Sequence, residues 1–526
     1  MPRPDLSRRN LLARLPFAVA GLTAPLVAQA QSVDTLTYVP VADLTVLDPY
    51  FGGPDVTIQH GYMVFDALYG LDADFNPQPQ MVAGHTIDDD GKRWRLTLRD
   101  GLRFHDGEPV LAEDVVACIR KWSTIDVFGG KLARVTDALT VVSDKVIEFR
   151  LKRPFFRLPA ALGKPATYPL FIMPKRLAAI AGSGKLTDVV GSGPYRYLAH
   201  ERVVGARAVY ERNDAYQPRA EPSTWLDGGK VAHFKRVVWQ VIPDAATAAA
   251  SLQKGEVDWW GDVPPDLAPS LRRDPNLTVQ VNDIIGGEAI MRFNALYPPF
   301  DNPAIRRAVL PAINQAEFMT AASGEDRTLW RDRVGVWSVG KPMSTDAGIE
   351  VLEGNVAKAR QKLQEAGYQG ETVVMLAAAD YPSLFACAQV GADLLRRIGF
   401  KVDVQTLDFG SQTVRRSNKS PPAQGGWNVF INLFNGFNRF DPAAHLGITS
   451  TWAGWPKIDE IEALREQWFD APDLATSKAI AREIQLLVWR DAPYIPLGSF
   501  YPLTAFKRTI SGVSRAGAGF VNVQRG

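Results

Sequence analysis

Short motifs that could carry nucleotide or hydrolytic chemistry are incomplete in this sequence. Gly182-Ser183-Gly184-Lys185 resembles part of a phosphate-binding loop, but Leu186 stands where such a loop needs a Mg²⁺-binding Ser or Thr. Gly191-Ser192-Gly193-Pro194 lacks the third glycine of a dinucleotide fingerprint, and its proline offers no N–H donor. The chain has neither a G-x-S-x-G elbow nor an H-E-x-x-H zinc motif. We therefore assign no catalytic residue and expect no cofactor.

Histidines and cysteines do not form a metal-ligand pattern. The six histidines lie far apart in the chain, and only His445 is near a segment of interest described below. Two cysteines cannot build a zinc site of four thiolates. Cys118 and Cys387 lie on predicted helices and are expected to be small buried side chains, and whether they pair stays open. We expect no bound metal.

Composition limits the classes of protein to which the chain can belong. It has 526 residues, 46% hydrophobic and 22% charged, which excludes a largely disordered chain. There are 59 basic and 57 acidic residues, for a net charge of +2. This balance provides no electrostatic surface for nucleic acid or an anionic membrane, so neither is expected as a partner.

The first thirty residues have the pattern of an export signal. Arg8 and Arg9 precede an apolar run from Leu15 to Ala28, and Ala28-Gln29-Ala30 has small residues where a signal peptidase cleaves. The run is too short, and too interrupted by prolines, for a permanent membrane span. Residues 1–30 resemble a twin-arginine signal peptide, which implies a periplasmic mature protein that begins near Gln31.

Hydrophobic periodicity then places the regular elements. Residues 93–104 alternate with period two and predict a hairpin that turns at Asp100-Gly101, and a helix follows with Val115, Ile119 and Trp122 on one face. In the second half, residues 373–377, 384–398 and 401–407 read as strand, helix and strand, which implies a parallel crossover unit. The chain is predicted to have an α/β fold.

Several phrases, in order along the chain, resemble one family. They are WRLTLRDGLRFHDGEP at 94–109, AEDV at 112–115, GSGPY at 191–195, LQKGEVD at 252–258, PAIRRA at 303–308 and AGY at 366–368. Together they resemble the family 5 extracellular solute-binding proteins, the peptide, nickel and opine receptors of ABC importers.

The resemblance implies a two-lobed periplasmic-binding-protein clamshell of type II, in the large class with an extra subdomain. Lobe I would comprise residues 31–286 and 498–526, with the subdomain inserted at about 71–189. Lobe II would comprise residues 287–497. Such a receptor closes on a small-molecule or peptide-like ligand and delivers it to an inner-membrane ABC permease complex, and we expect it to act as a monomer.

The resemblance also indicates ligand-binding residues. FNGFNRFDP at 434–442 resembles the cleft loop of the family, in which dipeptide-binding members place an ammonium-binding aspartate where this chain has Asn438. Tyr381 is retained, but Asp380 stands near the place of a carboxylate-binding arginine. We therefore expect simple dipeptides to bind poorly, and an anionic group of the solute to contact Arg439. The ligand-binding residues predicted from this loop and from nearby aromatic pairs are Tyr50, Phe51, Trp259, Trp260, Tyr381, Phe434, Asn435, Phe437, Asn438, Arg439 and Asp441.

Two other functions remain compatible with the sequence. A secreted hydrolase could use carboxylates such as Asp262 or Asp441, since paired carboxylates need not be adjacent in the chain. A chaperone or signalling receptor could share the same fold. Trp259 and Trp260 are adjacent, and neighbouring side chains on an extended strand point to opposite sides. At least one of the two is expected to face the cleft or the surface.

Overall fold

The computed structural model of the protein describes residues 34–51, 55–165, 167–184, 186–516 and 519–526. The export signal predicted in residues 1–30 lies outside these ranges. The described chain has an α/β fold with two large sheets and one smaller sheet, as the periodicity predicted. In this part of the chain, no helix combines the length and the apolar character that are needed to span a bilayer.

The first sheet has seven strands and collects segments from both ends of the chain. Strand Thr35–Val39 pairs in parallel with Arg236–Gln240 and with Trp259–Val263. Helix Ala245–Gln253 connects the last two strands, and Asp244 caps it by accepting a hydrogen bond from the N–H of Thr247. The strands in spatial order are Tyr195–Tyr197, Arg207–Arg212, Arg236–Gln240, Thr35–Val39, Trp259–Val263, Leu503–Lys507 and Leu277–Val281.

The second sheet has six strands, and all of them come from residues 287–500, between the two stretches of sequence that build the first sheet. Strands Thr372–Ala378 and Lys401–Leu407 are parallel over their whole length, and helix Pro382–Ile398 connects them. The predicted crossover unit is therefore confirmed. The strands in spatial order are Trp330–Arg331, Tyr494–Phe500, Gly287–Phe293, Val429–Asn435, Thr372–Ala378 and Lys401–Leu407.

A four-stranded antiparallel sheet forms within the first half of the chain, from Val82–Asp88, Arg93–Leu98, Val146–Leu151 and Thr136–Ser143. The predicted helix is present as Ala112–Trp122, and Val115, Ile119 and Trp122 are buried as predicted. The predicted hairpin at Asp100-Gly101 is wrong, because the chain after the turn pairs only through a single bridge between Arg103 and Pro109.

The remaining elements cover these sheets or connect them. The other α-helices are Asp55–Val64, Val127–Val135, Leu158–Leu162, Lys175–Ala178, Ala268–Arg272, Pro303–Val309, Gln315–Ser323, Val356–Glu365, Phe409–Arg415, Asp459–Phe469 and Leu474–Asp491. Short two-stranded ladders join Asp66–Ala67 to Phe171–Ile172, Tyr69–Leu71 to Pro77–Pro79, and Ile510–Ser511 to Gln524–Arg525.

The chain passes between the two large sheets at two neighbouring places. It leaves the first sheet after Leu277–Val281 and enters the second at Gly287–Phe293, and it returns between Phe500 and Leu503. The two crossings are bonded to each other, since the N–H of Asn282 donates to the Pro502 carbonyl at 2.8 Å. Gly287 packs against Phe500 so closely that a Cβ there would lie 2.4 Å from the phenyl ring. The two sheets are thus joined by a narrow pair of chain segments.

Candidate functional site

A cavity of about 180 Å³ lies between the two large sheets, beside the crossings. Strands Thr35–Val39 and Trp259–Val263 of the first sheet contribute one wall, together with helix Asp55–Val64. Strand Val429–Asn435 of the second sheet contributes the opposite wall, together with Phe437 just after it and with Gly287 and Phe500 on other strands of that sheet. Because both sheets supply lining residues, the size and shape of this cavity depend on how the sheets are placed relative to each other.

A glycine shapes the first-sheet wall. The Tyr38 hydroxyl, which donates to Gln59 Oε1 at 3.3 Å, lies where a side chain at position 261 would otherwise be. A Cβ on Gly261 would be 2.0 Å from that hydroxyl oxygen, so only glycine fits at this point of the strand. Asn282 is held alongside, because its amide donates to the Gly261 carbonyl at 3.0 Å. Polar groups of Tyr38, Gln59 and Asn282 are thus positioned in the lining.

Three carboxylates line the cavity. Asp55 begins helix Asp55–Val64, Asp262 lies on strand Trp259–Val263, and Asp283 lies on the first crossing. Asp283 is 6% exposed, and its Oδ1 accepts a hydrogen bond from the N–H of Ile285 at 2.8 Å. Among the described residues, no Lys or Arg lies within ion-pair distance of Asp55, Asp262 or Asp283.

Burial and mutual repulsion change how readily these carboxyls ionise. Loss of hydration, with a smaller contribution from the neighbouring Asp55 charge, raises the pKa of Asp262 to about 6. The same two causes, opposed by hydrogen bonds from Ile285 and Gly286 and by the charge of Lys341, raise the pKa of Asp283 to about 7. Asp55 retains solvent contact, and its pKa is also raised because the surrounding protein limits its hydration.

Aromatic side chains form most of the second-sheet wall. Phe434 and Phe437 line the cavity, and Phe437 also packs against Trp225 across the gap with a ring separation of 5.4 Å. Asn435 Oδ1 accepts from the N–H of Phe437 at 2.9 Å, which starts the short helix Gly436–Arg439 and sets the direction of that ring. Tyr381, which precedes helix Pro382–Ile398, lines the cavity as well. The cavity contains four residues of the predicted set: Tyr381, Phe434, Asn435 and Phe437.

The remainder of the predicted cleft loop points away from the cavity. Arg439 has no exposed surface, and its Nη1 contacts Glu288 Oε1 at 2.7 Å while its Nη2 donates to Ser499 Oγ at 2.5 Å. Asp441 is tied to the N–H groups of Ala443 and Ala444, each at 2.9 Å. The structure therefore places Arg439 against Glu288 in the interior, away from the cavity in which its contact with a solute anion was expected. Asn438 also lies outside the lining, and its Oδ1 accepts from Thr167 Oγ1.

The two aromatic pairs of the first half do not line the cavity either. Tyr50 is buried and donates to the Phe171 carbonyl at 2.8 Å, whereas Phe51 is 47% exposed and lies against Gly184. Trp259 and Trp260 are each 4% exposed, and neither lines the cavity. The expectation that one of these two indoles faces the cleft or the surface is wrong, because protein covers both faces of the first sheet at this strand.

Two other sequence-based candidates have structural roles. His445 is buried, and its Nε2 lies 2.8 Å from the Tyr494 hydroxyl while its Nδ1 accepts from the N–H of Gly447. Burial lowers the pKa of His445 to about 3, so the ring is neutral at physiological pH. Cys118 and Cys387 are both buried free thiols.

Sequence reasoning missed most of the first-sheet wall, including Tyr38, Asp55, Gln59, Tyr62 and Asp283. A usable signal existed for Asp283, because it lies just before the predicted lobe boundary at 286/287, where a ligand between lobes would be contacted. Of the two carboxylates named for the hydrolase alternative, Asp262 lines the cavity and Asp441 does not.

Comparison with known proteins identifies the family. The sequence model described as "Bacterial extracellular solute-binding proteins, family 5 Middle" matches residues 76–447. A probable peptide ABC transporter periplasmic-binding protein, y4tO of Sinorhizobium fredii, is 33% identical over 97% of both chains. The glutathione-binding protein GsiB of Salmonella paratyphi A is 24% identical over 94% of this chain and 95% of its own.

Solved structures show the same architecture. The oligopeptide-binding protein AppA of Bacillus subtilis, in complex with a nonapeptide, superposes with a TM-score of 0.76 at 19% identity. The match covers 94% of this chain and 99% of that one. The fold is thus that of the two-lobed periplasmic binding proteins, and the relatives are receptors of transporters rather than enzymes. The chain belongs to the bacterial extracellular solute-binding proteins of family 5.

Proposed function

We propose that the cavity between the two large sheets is the solute-binding site of this receptor. It takes a small organic or peptide-like solute and presents it to an inner-membrane ABC permease. The observation that carries this proposal is that both sheets line the cavity, while the described chain passes from one sheet to the other in two neighbouring segments. A solute bound there would contact both sheets at once, which is the condition for ligand-driven closure.

The proposal includes an assignment of lobes. Lobe I is built on the first sheet, residues 31–286 and 498–526, with the four-stranded sheet in the inserted subdomain at about 71–189. Lobe II is built on the second sheet, residues 287–497. The strand Tyr494–Phe500 continues in the second sheet beyond residue 497, so the second boundary is better placed after Phe500. The receptor is proposed to act as a monomer without nucleic acid, consistent with its nearly balanced charge.

The site assignment is tested by comparing two aromatic residues from the predicted set. A thermal-shift screen of amines, amino acids, carboxylic acids, sugars and short peptides first identifies a solute that stabilises the protein. Tyr381→Ala should then weaken its binding at least about tenfold in calorimetry, because a ring that lines the cavity is lost. Phe51→Ala serves as the matched control, since Phe51 lies outside the lining, and should bind normally. Unchanged affinity in Tyr381→Ala would contradict the assignment.

We further propose that residues 1–30 are a twin-arginine signal peptide that is cleaved near Ala30, which delivers the mature protein to the periplasm. Support comes from the order of Arg8-Arg9, the apolar run and Ala28-Gln29-Ala30. Replacing both arginines with lysine should stop export while leaving synthesis intact. N-terminal sequencing of the periplasmic protein should begin near Gln31. Export that persists in the double-lysine variant would refute the twin-arginine assignment.

A further inference from the structure

We infer that the cavity selects a solute carrying a positive charge, namely an organic amine or quaternary ammonium compound with an apolar body. This inference rests on the proposed function, and it names the class of solute. It reverses the expectation of an anionic group beside Arg439. The evidence comes from the charge of the lining, the absence of neutralising partners and the chemistry of the remaining walls.

The charge of the lining is one-sided. Asp55, Asp262 and Asp283 all contribute to it, and none of the described residues that line the cavity is Lys, Arg or His. Lys341 acts on Asp283 from outside the lining, and its ammonium lies 4.5 Å from the centre of the Phe75 ring. An anionic solute entering this space would be repelled by these carboxylates and would find no partner for its own charge in the described lining. A cation would reduce the repulsion among the carboxylates.

The walls around the carboxylates are suited to an organic cation. Six aromatic rings line the same cavity, those of Tyr38, Tyr62, Tyr381, Phe434, Phe437 and Phe500. Aromatic faces attract ammonium groups, most strongly where water is excluded, and they also cover apolar carbon. An inorganic cation would gain from the carboxylates but would leave these rings without a partner. The combination of carboxylates and rings therefore favours an amine with a hydrocarbon or aromatic body.

The same lining discriminates against zwitterions. A dipeptide or free amino acid brings a carboxylate as well as an ammonium, and the carboxylate would have to be desolvated on closure. The described lining offers it no cationic side chain, and the hydroxyls of Tyr38 and Tyr62 already donate to Gln59 Oε1 and to the Pro165 carbonyl. Leaving that charge without a cationic partner in a closed cavity is unfavourable. Peptides without net positive charge should therefore bind less well than simple amines.

A matched series of probes tests this inference at pH 7.5. Phenethylamine, 2-phenylethanol, 3-phenylpropionate and phenylalanine share a phenyl body and differ in charge. Each is added to the mature protein in a thermal-shift assay, beside the broader library described above. We expect phenethylamine and other amines to raise Tm, and the neutral, anionic and zwitterionic members to have little effect. If neutral or anionic compounds bind as well as amines, the charge inference is overturned while the receptor assignment stands. If no compound of any charge binds, the proposed function fails as well.

Variants that replace a cavity carboxylate with a neutral amide test whether these carboxylates bind the amine. Asp262→Asn and Asp283→Asn keep the shape of the lining and should each weaken binding of the tightest amine at least about tenfold. Asp266→Asn is the matched control, because Asp266 is exposed just beyond the same strand and does not line the cavity. The Tm of each variant without solute establishes that it is folded. Amine binding that survives both Asp262→Asn and Asp283→Asn undiminished would refute the inference.

Discussion

Arg439 and Glu288 form an ion pair in the protein interior, and neither side chain has any exposed surface. The sequence places Arg439 in a loop that resembles a ligand-contacting loop, and pattern alone cannot show which way a side chain leaves such a loop. The direction is set by the partner: Glu288 lies on the neighbouring strand Gly287–Phe293, far away in the sequence. Breaking a buried pair is costly because the remaining charge is left in a medium that solvates it poorly.

We therefore predict that Arg439→Ala lowers the free energy of unfolding by about 3 kcal/mol, since Glu288, whose pKa burial raises to about 8, must either stay charged without its partner or take up a proton. Urea titration measures this change. Arg482→Ala is the control, because Arg482 and Glu483 are both more than half exposed, and it should cost less than about 1 kcal/mol. The double variant Arg439→Met/Glu288→Leu should recover most of the loss. An Arg439→Ala protein of normal stability that no longer binds solute would instead support a ligand contact.

The cavity carboxylates make a second residue-scale prediction, on the pH dependence of stability. The pKa of Asp283 is raised by burial and by the Asp55 charge to about 7 in the folded protein, above its value in the unfolded chain. The folded state therefore binds the Asp283 proton more tightly, and this stabilisation is lost as the pH rises through the window from about 4 to 7. Asp283→Asn, whose amide oxygen can still accept from Ile285, should remove that loss.

In urea titrations without solute, Asp283→Asn should be more stable than the unmodified protein by roughly 3 kcal/mol at pH 7.5. The difference should shrink steadily as the pH is lowered towards 4. Asp266→Asn should show no such trend, because Asp266 is exposed. A gain in Asp283→Asn that is the same at every pH would show that the effect is not one of ionisation.

At the scale of elements, periodicity predicts the helices and strands that have a pattern of their own. It does not predict which segments pack against the two faces of a strand. The unit 372–407 was read correctly because a buried strand, an amphipathic helix and a second strand each have their own pattern. Trp259 and Trp260 were misplaced because alternation on a strand says nothing about what covers its two faces. Here Trp259 packs on Tyr38 and Phe520, with ring separations of 4.9 and 5.1 Å.

Residues near helix Leu158–Leu162, in the first half of the chain, pack against helix Asp459–Phe469 in the second half. The Arg157 guanidinium, before helix Leu158–Leu162, lies 3.8 Å from the centre of the Trp468 ring on helix Asp459–Phe469. It also donates to the Trp468 carbonyl at 3.2 Å and to Ser477 Oγ at 2.5 Å. Phe128 packs on Phe469 beside it, with a ring separation of 5.3 Å. Under the proposed division into lobes, this contact joins lobe I to lobe II, and we expect it to break when the lobes open.

We predict that Arg157→Ala weakens solute binding although Arg157 does not line the cavity. Loss of the cation–π contact and two hydrogen bonds should disfavour the closed form by about 1–2 kcal/mol, and the Kd should rise up to about thirtyfold. Calorimetry measures the affinity. Arg120→Ala is the matched control, since that exposed guanidinium bonds only within the subdomain, to the Leu139 carbonyl. Equal affinities in the two variants would show that the contact does not report closure.

At the scale of the whole molecule, the sequence indicates the first passage of the chain between the two large sheets better than the second. A change from hairpins to crossover units marks the region near residue 286, where the chain does pass to the second sheet. The return was placed at 497/498, inside strand Tyr494–Phe500, because an apolar strand carries no local mark of the sheet it joins. Which three carboxylates meet in the cavity could not be predicted either, because Asp55, Asp262 and Asp283 converge only through the packing of separate segments.

The paired crossings predict a motion that can be measured. Because the described chain passes between the two sheets near residues 282–287 and 500–503, a rotation there would move one proposed lobe as a body against the other. A solute that contacts both walls stabilises the closed arrangement by the difference between its affinities for the two forms. Small-angle scattering should therefore give a smaller radius of gyration with a saturating solute from the screen than without it. Tyr381→Ala, which removes part of one wall, should need more solute for the same change, whereas an unchanged profile at confirmed saturation would exclude closure as the response to binding.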